Sequence, residues 1–378
     1  MDGCSLNAHS LLSALYAGCH PSDQPYGPPL LKTNTTLYIS IGIYIHRIII
    51  NIDATMKINF KNITILSLLA MVLVMMSCGG EKKRKDGRTD TTTQGEITFC
   101  CDESFSPIID ELIDVYQMQC PNTKLKPIYT NEIDCINMLL QQKTWLTITA
   151  RNFTPKEYTY IKDGLDMLPE AVPLAYDGMA LICNNQNLDS CISVKDVKDI
   201  LLGKKTKWSE VNPGSKLGEI WVCFDNRKSS AVNYCCDSIL GGKPIDSPNV
   251  FAAKDSKDVI DYVSKTPNAI GVIGSNWLND KRDTTNTTWN KAITVMSVSK
   301  LDHATALNSW KPYQAWLLNG RYPFVRTIYA LLNDPKRGLP WGFAHFIEQP
   351  KGQLIIFKAG LLPTRGEITI RDVQVHNE

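Results

Sequence analysis

The sequence predicts an α/β fold with mainly parallel strand pairing. Beyond residue 95, short strand-like apolar runs alternate with runs that have the apolar spacing of helices. Several strand-like runs lead through a short polar loop into a helix, which is typical of a parallel sheet covered by helices. No internal repeat occurs at a fixed period, and 378 residues are enough for two domains.

Local signals place the elements along the chain. Pro107 suits a first helical turn, Thr154 and Glu157 form a capping box, and Ser193 suits the cap of a helix. Gly271 in a strand indicates close approach of a neighbouring segment. The predicted strands are 96–101, 124–129, 146–150, two pieces within 171–182, 220–224, 269–273 and 293–298. The predicted helices are 108–118, 133–141, 194–202, 231–240, 259–264 and a continuous helix from 342 to 360, whereas 322–332 mixes strand and helix signals.

The composition argues against a strongly charged partner. The formal net charge is +2 and no basic run is interleaved with aromatic residues, so nucleic acid is not a predicted partner. The 12 cysteines lack CxxC spacing and no HExxH motif occurs, so neither a metal nor a cofactor is predicted. We interpret most cysteines as small buried hydrophobic residues, with Cys183 and Cys191 as a disulfide candidate across a turn.

The first 95 residues differ from the rest of the chain. A second start at Met56 is followed by lysines, the apolar run 63–76 and Ser77-Cys78, which is the pattern of a lipoprotein signal peptide. We therefore interpret 1–55 as a non-native upstream extension and 56–78 as a signal peptide ending at the lipidated Cys78. The alternative for 63–76 is an internal hydrophobic helix.

The segment after the cysteine is polar. Residues 79–95 contain no apolar side chain, which predicts a flexible linker that cannot pack. Acyl chains such as palmitate, together with the thioether-linked lipid, would anchor the protein firmly.

The stretch 221–234 contains the main candidate for a binding site. An apolar strand is followed by the polar loop 225–230 and a helix, so unpaired helical N–H groups and the hydroxyls of Ser229 and Ser230 would face an anion. Arg227 and Lys228 add positive charge. The alternative interpretation is a serine helix cap without a ligand.

Two further polar groups follow strands. Ser104 lies after the strand 96–101, and Arg151 ends the strand 146–150. In open α/β sheets, ligands bind beyond the carboxyl ends of strands. The sequence therefore predicts that Ser104, Arg151 and the 225–230 loop converge, although Arg151 taken alone is equally compatible with a surface arginine.

The order of these segments resembles the phosphate-binding periplasmic proteins of ABC importers (PstS-like), in a lipoprotein-anchored form. The resemblance covers about 95–371. It rests on the motifs DESFSP (102–107), TARNFTPKEY (149–158), KDVKDILLGKKTKWSEV (195–211), FDNRKSS (224–230), AIGVIG (269–274) and GQLIIFKAGLLP (352–363).

The resemblance implies a two-lobed type II periplasmic-binding fold with two crossover hinge strands and a ligand in the cleft. Lobe 1 would be 96–173 plus 299–371, and lobe 2 would be 174–298. The hinges would lie near 172–175 and 298–300, and the lobes would close over a ligand.

The anion contacts of the family carry over only in part. A Thr-Phe pair after the first strand corresponds to Ser104 and Phe105 here, and a Ser-Arg pair corresponds to Ala150 and Arg151.

The third family pattern shows the largest departure. An arginine, three residues and then Ser-Gly-Thr correspond to Asp225 followed by Ser229, Ser230 and Ala231. An aspartate thus stands where the family has its arginine, and Arg227 is the alternative source of charge. Unless the charge is replaced, Asp225 would repel a dianion, accept a proton from a monobasic phosphate, or select a different ligand.

The resemblance therefore implies a lipid-anchored, monomeric substrate-binding protein without enzymatic activity. It would capture inorganic phosphate or a related oxyanion on the periplasmic side of a bacterial membrane and deliver it to an ABC permease in the inner membrane. The predicted anion-binding residues are Ser104, Phe105, Arg151, Asp225, Arg227, Ser229 and Ser230.

Functions other than transport make different demands on the sequence. A binding-fold lipoprotein without a transporter, acting as a sensor or surface interaction protein with an altered ligand, is the alternative. A Ser or Cys hydrolase is disfavoured because no G-x-S-x-G motif is present and only His303, His345 and His376 follow the linker.

Overall fold

The computed structural model describes residues 87–279 and 289–366. The predicted extension 1–55, the signal peptide 56–78 with Cys78, and residues 79–86 of the predicted linker lie outside these ranges. Within the described ranges, no helix has both the length and the apolar character needed to cross a bilayer.

Strands and helices alternate through the described residues, as predicted. The strands are β1 (Gly95–Asp102), β2 (Thr123–Thr130), β3 (Leu146–Thr149), β4 (Glu170–Asn184), β5 (Cys191–Ser193), β6 (Trp221–Phe224), β7 (Val250–Ala252), β8 (Ala269–Gly274), β9 (Ile293–Val295), β10 (Ser297–Ser299), β11 (Val325–Leu332) and β12 (Leu362–Pro363). The α-helices are α1 (Ser106–Gln119), α2 (Glu132–Leu140), α3 (Pro155–Thr159), α4 (Val194–Leu201), α5 (Trp208–Val211), α6 (Ser230–Tyr234), α7 (Ser256–Lys265), α8 (Gln314–Leu318), α9 (Leu339–Glu348) and α10 (Pro350–Lys358). The 3₁₀ turns Glu103–Phe105 and Ser275–Trp277 and the π turns Tyr160–Gly164 and Cys235–Ile239 complete them.

Ten of the strands form one long sheet, in which eight follow the order β2-β1-β3-β11-β4-β8-β6-β7 and both β9 and β12 pair with β4. The strands β5 and β10 form a separate two-stranded sheet. Pairing is parallel in β2-β1-β3 and in β8-β6-β7, but antiparallel around β4 and β11. The prediction of mainly parallel pairing therefore holds for each end of the sheet but not for its centre. The first part of β4 pairs with β11 and its last part pairs with β8, so β4 passes from one half of the molecule to the other.

Separate hydrophobic cores lie on the two halves. The first core contains Phe99, Leu112 and Phe343, and we call the half around it lobe 1. The second core contains Trp208, and a third lies under α7; the half around these two cores is lobe 2. Full burial of a large apolar side chain contributes about 1.5–3 kcal/mol, so each lobe has its own source of stability.

The second crossing between the lobes lies later in the chain than expected. After β10, Trp310 exchanges two backbone hydrogen bonds with Val298 (2.8 and 3.1 Å), and Tyr322 packs in the second core. The chain thus stays with lobe 2 to about Phe324 and enters lobe 1 with β11. The expected crossing at 298–300 is displaced because these contacts hold the returning segment.

The end of the predicted linker packs against lobe 1. Asp90 is buried and accepts hydrogen bonds from Arg88 and from the backbone N–H of Leu339 at the start of α9 (2.6 Å). Arg88 also pairs with Asp334 (3.1 Å). The prediction that the whole of 79–95 cannot pack is wrong for these residues, since polar side chains pack here through ion pairs.

Several boundaries differ from the sequence-based elements. The two strand pieces expected in 171–182 are the single strand β4, and the helix expected from 342 to 360 is divided at Gln349, just before Pro350. The capping boxes at Thr154 and Ser193 are present as predicted. Cys183 and Cys191 are both free thiols, so the disulfide candidate is not formed.

Gly271 allows α7 to lie directly on β8. A Cβ atom at this position would lie 2.7 Å from Val259 and 2.8 Å from Ile182, which confirms the close approach indicated by the sequence.

We expect Gly271→Ala to lower the free energy of unfolding by about 1–3 kcal/mol through overpacking, measured by urea denaturation. The control is Gly218→Ala, whose added Cβ would meet nothing within 4 Å; equal losses in the two variants would contradict this account.

Candidate functional site

The candidate site lies where two strand ends from different lobes meet. β1 ends at Asp102 and continues into the 3₁₀ turn that carries Ser104. β6 ends at Phe224 and continues through a loop into α6, which starts at Ser230. The Ser104 hydroxyl donates to Asp225 Oδ2 (2.9 Å) and lies 3.4 Å from the Ser230 hydroxyl.

A buried arginine that the sequence analysis did not identify completes this group. Arg326, on β11, is 3% exposed. Its Nε donates to Asp177 Oδ2 on β4, and its Nη1 donates to the Ser230 hydroxyl; both donor–acceptor distances are 2.8 Å. Its guanidinium carbon lies 4.8 Å from the centre of the Phe105 ring, a cation–π contact.

Ser230 and Ser104 lie in a hydrogen-bonded series that runs from Arg326 to Asp225, and these two end residues fix the direction of the hydroxyl hydrogen bonds. Arg326 has only donors, so the Ser230 oxygen accepts from it and its own hydrogen is free to point to Ser104. The Ser104 hydroxyl then donates to the carboxylate of Asp225. The result is a polarised relay from a cation through two hydroxyls to an anion, in which each bond strengthens the next.

The backbone amides of the same two serines bind a second carboxylate. Asp102 accepts from Ser104 N (2.8 Å) and from Ser230 N (3.1 Å). We call this group of donors and carboxylates the cradle: Asp102, Ser104, Asp225, Ser230 and Arg326. The cradle joins lobe 1 to lobe 2, since Asp102 and Ser104 of lobe 1 form hydrogen bonds with Ser230 and Asp225 of lobe 2.

The electrostatics of the cradle are dominated by burial. Burial, followed by the negative charge of Asp102, raises the pKa of the Asp225 carboxyl. Burial alone would lower the pKa of Arg326, but Asp177 and Asp102 raise it overall, so the guanidinium stays charged. A buried arginine of this kind needs carboxylates around it.

Two buried polar atoms beside the cradle lack a hydrogen-bond partner among the described residues. They are Arg326 Nη2 and Asn276 Oδ1. Both residues flank Gly274, where an added Cβ would lie 3.0 Å from Arg326 Nη2 and 2.9 Å from Asn276 Nδ2. A side chain at position 274 would therefore collide with the guanidinium of Arg326, so this glycine leaves the space that Arg326 occupies.

A cavity of about 320 Å³ adjoins the cradle. Asp102, Glu103 and Asn131 line it from lobe 1, and Asp225 and Lys254 line it from lobe 2. It is therefore a cleft between the lobes, and the Asp225 carboxyl lies where the cleft meets the cradle.

The remaining predicted residues have different positions. Ser229 caps α6 by accepting from Val232 N (3.4 Å), as the alternative interpretation proposed. Arg151 donates two hydrogen bonds to the carboxylate of Glu157, each with a donor–acceptor distance of 2.8 Å. Arg227 is exposed in its loop. The charge that the sequence analysis assigned to Arg151 and Arg227 is provided in the cradle by Arg326.

The sequence did contain a signal for Arg326. It lies within the otherwise uncharged strand VRTIYALL, where a charged residue that is buried requires a partner. Asp177, which lies within β4 in the same way, is that partner. The pair was missed because the two residues are far apart in the chain.

Glu103 links the lobes and titrates near neutral pH. Its carboxylate accepts hydrogen bonds from the N–H (3.3 Å) and hydroxyl (3.0 Å) of Ser256 at the start of α7. Burial, followed by the charge of Asp225, raises the pKa of Glu103 from 4.5 to about 7.

Several known proteins are similar to this chain. Residues 86–350 match the family model of a PBP superfamily domain. The chain is 24% identical over 312 residues to the phosphate-binding protein PstS of Borreliella burgdorferi. The matched region is 80% of this chain and 98% of that protein. Among solved structures, it is similar to a Clostridium perfringens protein assigned to phosphate ABC transport and solved with bound phosphate (TM-score 0.59, 19% identity, 72% of this chain and 100% of that chain). An ABC-type phosphate transport receptor from Vibrio cholerae gives a TM-score of 0.53 with 18% identity over 71% of this chain and 100% of that chain. These similarities confirm the predicted α/β fold of the type II periplasmic-binding class.

The shifted pKa of Glu103 predicts how stability depends on pH. Because the folded state raises this pKa, the stabilising contribution is complete below 4.5 and is lost as the pH rises through about 7. We expect the wild type to lose on the order of 3 kcal/mol of unfolding free energy from this group between about pH 5 and about pH 8. Urea denaturation at both pH values measures this loss, and Glu103→Gln should remove it. The exposed control Glu219→Gln should keep the wild-type slope, and an unchanged slope in Glu103→Gln would refute the assignment.

Proposed function

Because the chain belongs to the PBP superfamily, we propose that it is the substrate-binding protein of an ABC importer and captures phosphate or a related oxyanion between its lobes. The observation that carries the proposal is the cradle. Hydroxyl and amide donors of Ser104 and Ser230, from opposite lobes, converge beside the guanidinium of Arg326. Charge-assisted hydrogen bonds from such donors are the usual means of holding an oxyanion.

The relatives favour phosphate as the ligand. The similar curated and solved proteins are named for phosphate binding or phosphate transport. The unpartnered Arg326 Nη2 supplies a further donor in the same region. Membership of a superfamily of binding proteins also supports the prediction that the chain is not an enzyme.

The cellular part of the proposal comes from the sequence. The apolar run that ends in Ser77-Cys78 supports a signal peptide with lipid attachment at Cys78, and hence a protein anchored at the bacterial envelope and facing the periplasm. An ABC permease of the inner membrane would receive the ligand.

One observation favours the alternative of a binding-fold lipoprotein without a transporter, such as a sensor. Two carboxylates, Asp102 and Asp225, already accept the hydrogen bonds of the cradle. A ligand other than a dianion fits such a site better, because like charges in close contact repel each other.

Removal of one cradle hydroxyl tests the proposed function. We expect Ser104→Ala to weaken phosphate binding about tenfold or more, since a hydrogen bond to a charged group is worth about 1.5–3 kcal/mol. Isothermal titration with phosphate measures the change. Ser264→Ala is the matched control, because the Ser264 hydroxyl bonds within α7. Absence of phosphate binding by the wild type would refute the phosphate assignment.

Replacement of the predicted lipidation site tests the anchor. We expect Cys78→Ala to release the protein from the membrane fraction and to abolish labelling with a radioactive fatty acid, because the thiol is the attachment atom. Fractionation of cells followed by immunoblotting provides the measurement, with Cys120→Ala as the control that should remain bound. Membrane attachment of Cys78→Ala would show that another segment is the anchor.

A further inference from the structure

Asp225 occupies the position of an acceptor within the cradle. Its Oδ2 accepts a hydrogen bond from the Ser104 hydroxyl and its Oδ1 accepts one from Asn226 N, each with a donor–acceptor distance of 2.9 Å. The carboxylate of Asp225 therefore receives hydrogen bonds of the kind that a bound oxyanion would receive.

The surroundings of Asp225 make its negative charge costly. The side chain is 2% exposed, and the only cation of the cradle, Arg326, bonds to a different carboxylate, Asp177. Asp102 is a second carboxylate of the cradle and accepts from the backbone N–H groups of Ser104 and Ser230. The titratable or charged groups that face Asp225 from the packed elements are Asp102 on β1, Glu103 in the 3₁₀ turn, Cys223 on β6, Cys235 in the π turn after α6, Arg326 on β11, and Lys254 and Asp255 across the cleft.

Arg326, which donates to Ser230 within the same cradle, has unused hydrogen-bonding capacity. Arg326 Nη2 is a buried donor without a partner among the described residues, and Arg326 is 3% exposed. A buried donor of this kind carries a full desolvation penalty unless an acceptor reaches it. The cradle thus contains both a donor that an anion would satisfy and a carboxylate that an anion would displace.

Resting on the proposed function, we propose that Asp225 is an internal competitor of the anion, so that ligand capture takes up one proton and weakens as the pH rises. An ionised Asp225 holds the Ser104 hydroxyl and repels an incoming anion. A protonated Asp225 releases that repulsion and can donate its own hydrogen to the ligand, since a neutral carboxyl has one O–H donor.

The chemistry of this step is balanced without a further reactant. The proton comes from solvent and resides on the Asp225 carboxyl, and the Ser104 hydroxyl turns from Asp225 to the ligand. Burial, followed by the charge of Asp102, already raises the pKa of Asp225 in the free protein. A bound anion adds a second negative charge and favours the protonated form further.

The experiment compares the full chain with Asp225→Asn, which keeps the shape and an acceptor oxygen but cannot ionise. Phosphate and sulfate are titrated by calorimetry at several values from about pH 5.5 to about pH 8, in two buffers of different ionisation enthalpy. Sulfate stays fully ionised over this range and separates titration of the protein from titration of the ligand. The difference in heat between the buffers gives the number of protons taken up.

We expect wild-type affinity to fall at least tenfold more than that of Asp225→Asn across this range, and Asp225→Asn to bind at least tenfold more tightly at the highest pH. Because Glu103 lines the same cleft and its pKa is raised to about 7, the comparison is repeated in a Glu103→Gln background, where Asp225→Asn should still reduce the pH dependence of binding at least tenfold. Equal pH dependence of the wild type and Asp225→Asn would overturn the inference and leave the proposed function intact.

The other outcomes are also decisive. Binding by Asp225→Asn alone would support the internal competitor but refute phosphate capture by the natural chain. Absence of binding in both proteins would refute both proposals. If Asp225→Asn does not fold, as judged by its thermal transition, sulfate binding to the wild type without proton uptake would overturn the inference.

Discussion

The buried guanidinium of Arg326 constrains the centre of this molecule. A charge removed from water persists only when it is paired and hydrogen-bonded, and Arg326 meets this requirement with Asp177 on β4 and Ser230 at the start of α6. Its third contact, the ring of Phe105, comes from the turn after β1. One side chain therefore specifies how the central strands and the polar loops of both lobes meet.

Sequence predicts the parts of the fold that depend on neighbours in the chain. The capping boxes at Thr154 and Ser193 bring their partners within three residues, and both are present. By contrast, Asp177 and Gly178 resemble a turn in sequence but lie within β4. Asp177 is held there by Ser275, 98 residues away, and a Cβ at Gly178 would meet Pro312. No local pattern contains information about such partners.

The same distinction explains which site residues were predicted. Ser104 and Ser230 were identified because both follow the carboxyl end of a strand, a position that sequence reveals. Arg151 was selected by the same rule, but Glu157 accepts hydrogen bonds from its Nη1 and Nη2 atoms while completing the capping box at Thr154. The cap therefore accounts for both the local structure and the pairing of Arg151 outside the cradle, whereas Arg326 lies within a strand and follows no such rule.

The geometry of the cleft and its charge are set by different bonds. The carbonyl oxygen of Ser104 in lobe 1 accepts hydrogen bonds from the side chains of Asn276 and Trp277 in lobe 2. Both donor–acceptor distances are 2.9 Å. These neutral bonds hold the lobes together at any protonation state of the cradle. The charge of the cradle depends instead on the carboxyl groups of Asp102 and Asp225 against the guanidinium of Arg326, and burial raises the pKa of the Asp225 carboxyl. Asp225 therefore contributes both a hydrogen bond between the lobes and a buried carboxyl, whereas the bonds to the Ser104 carbonyl join the lobes without adding charge.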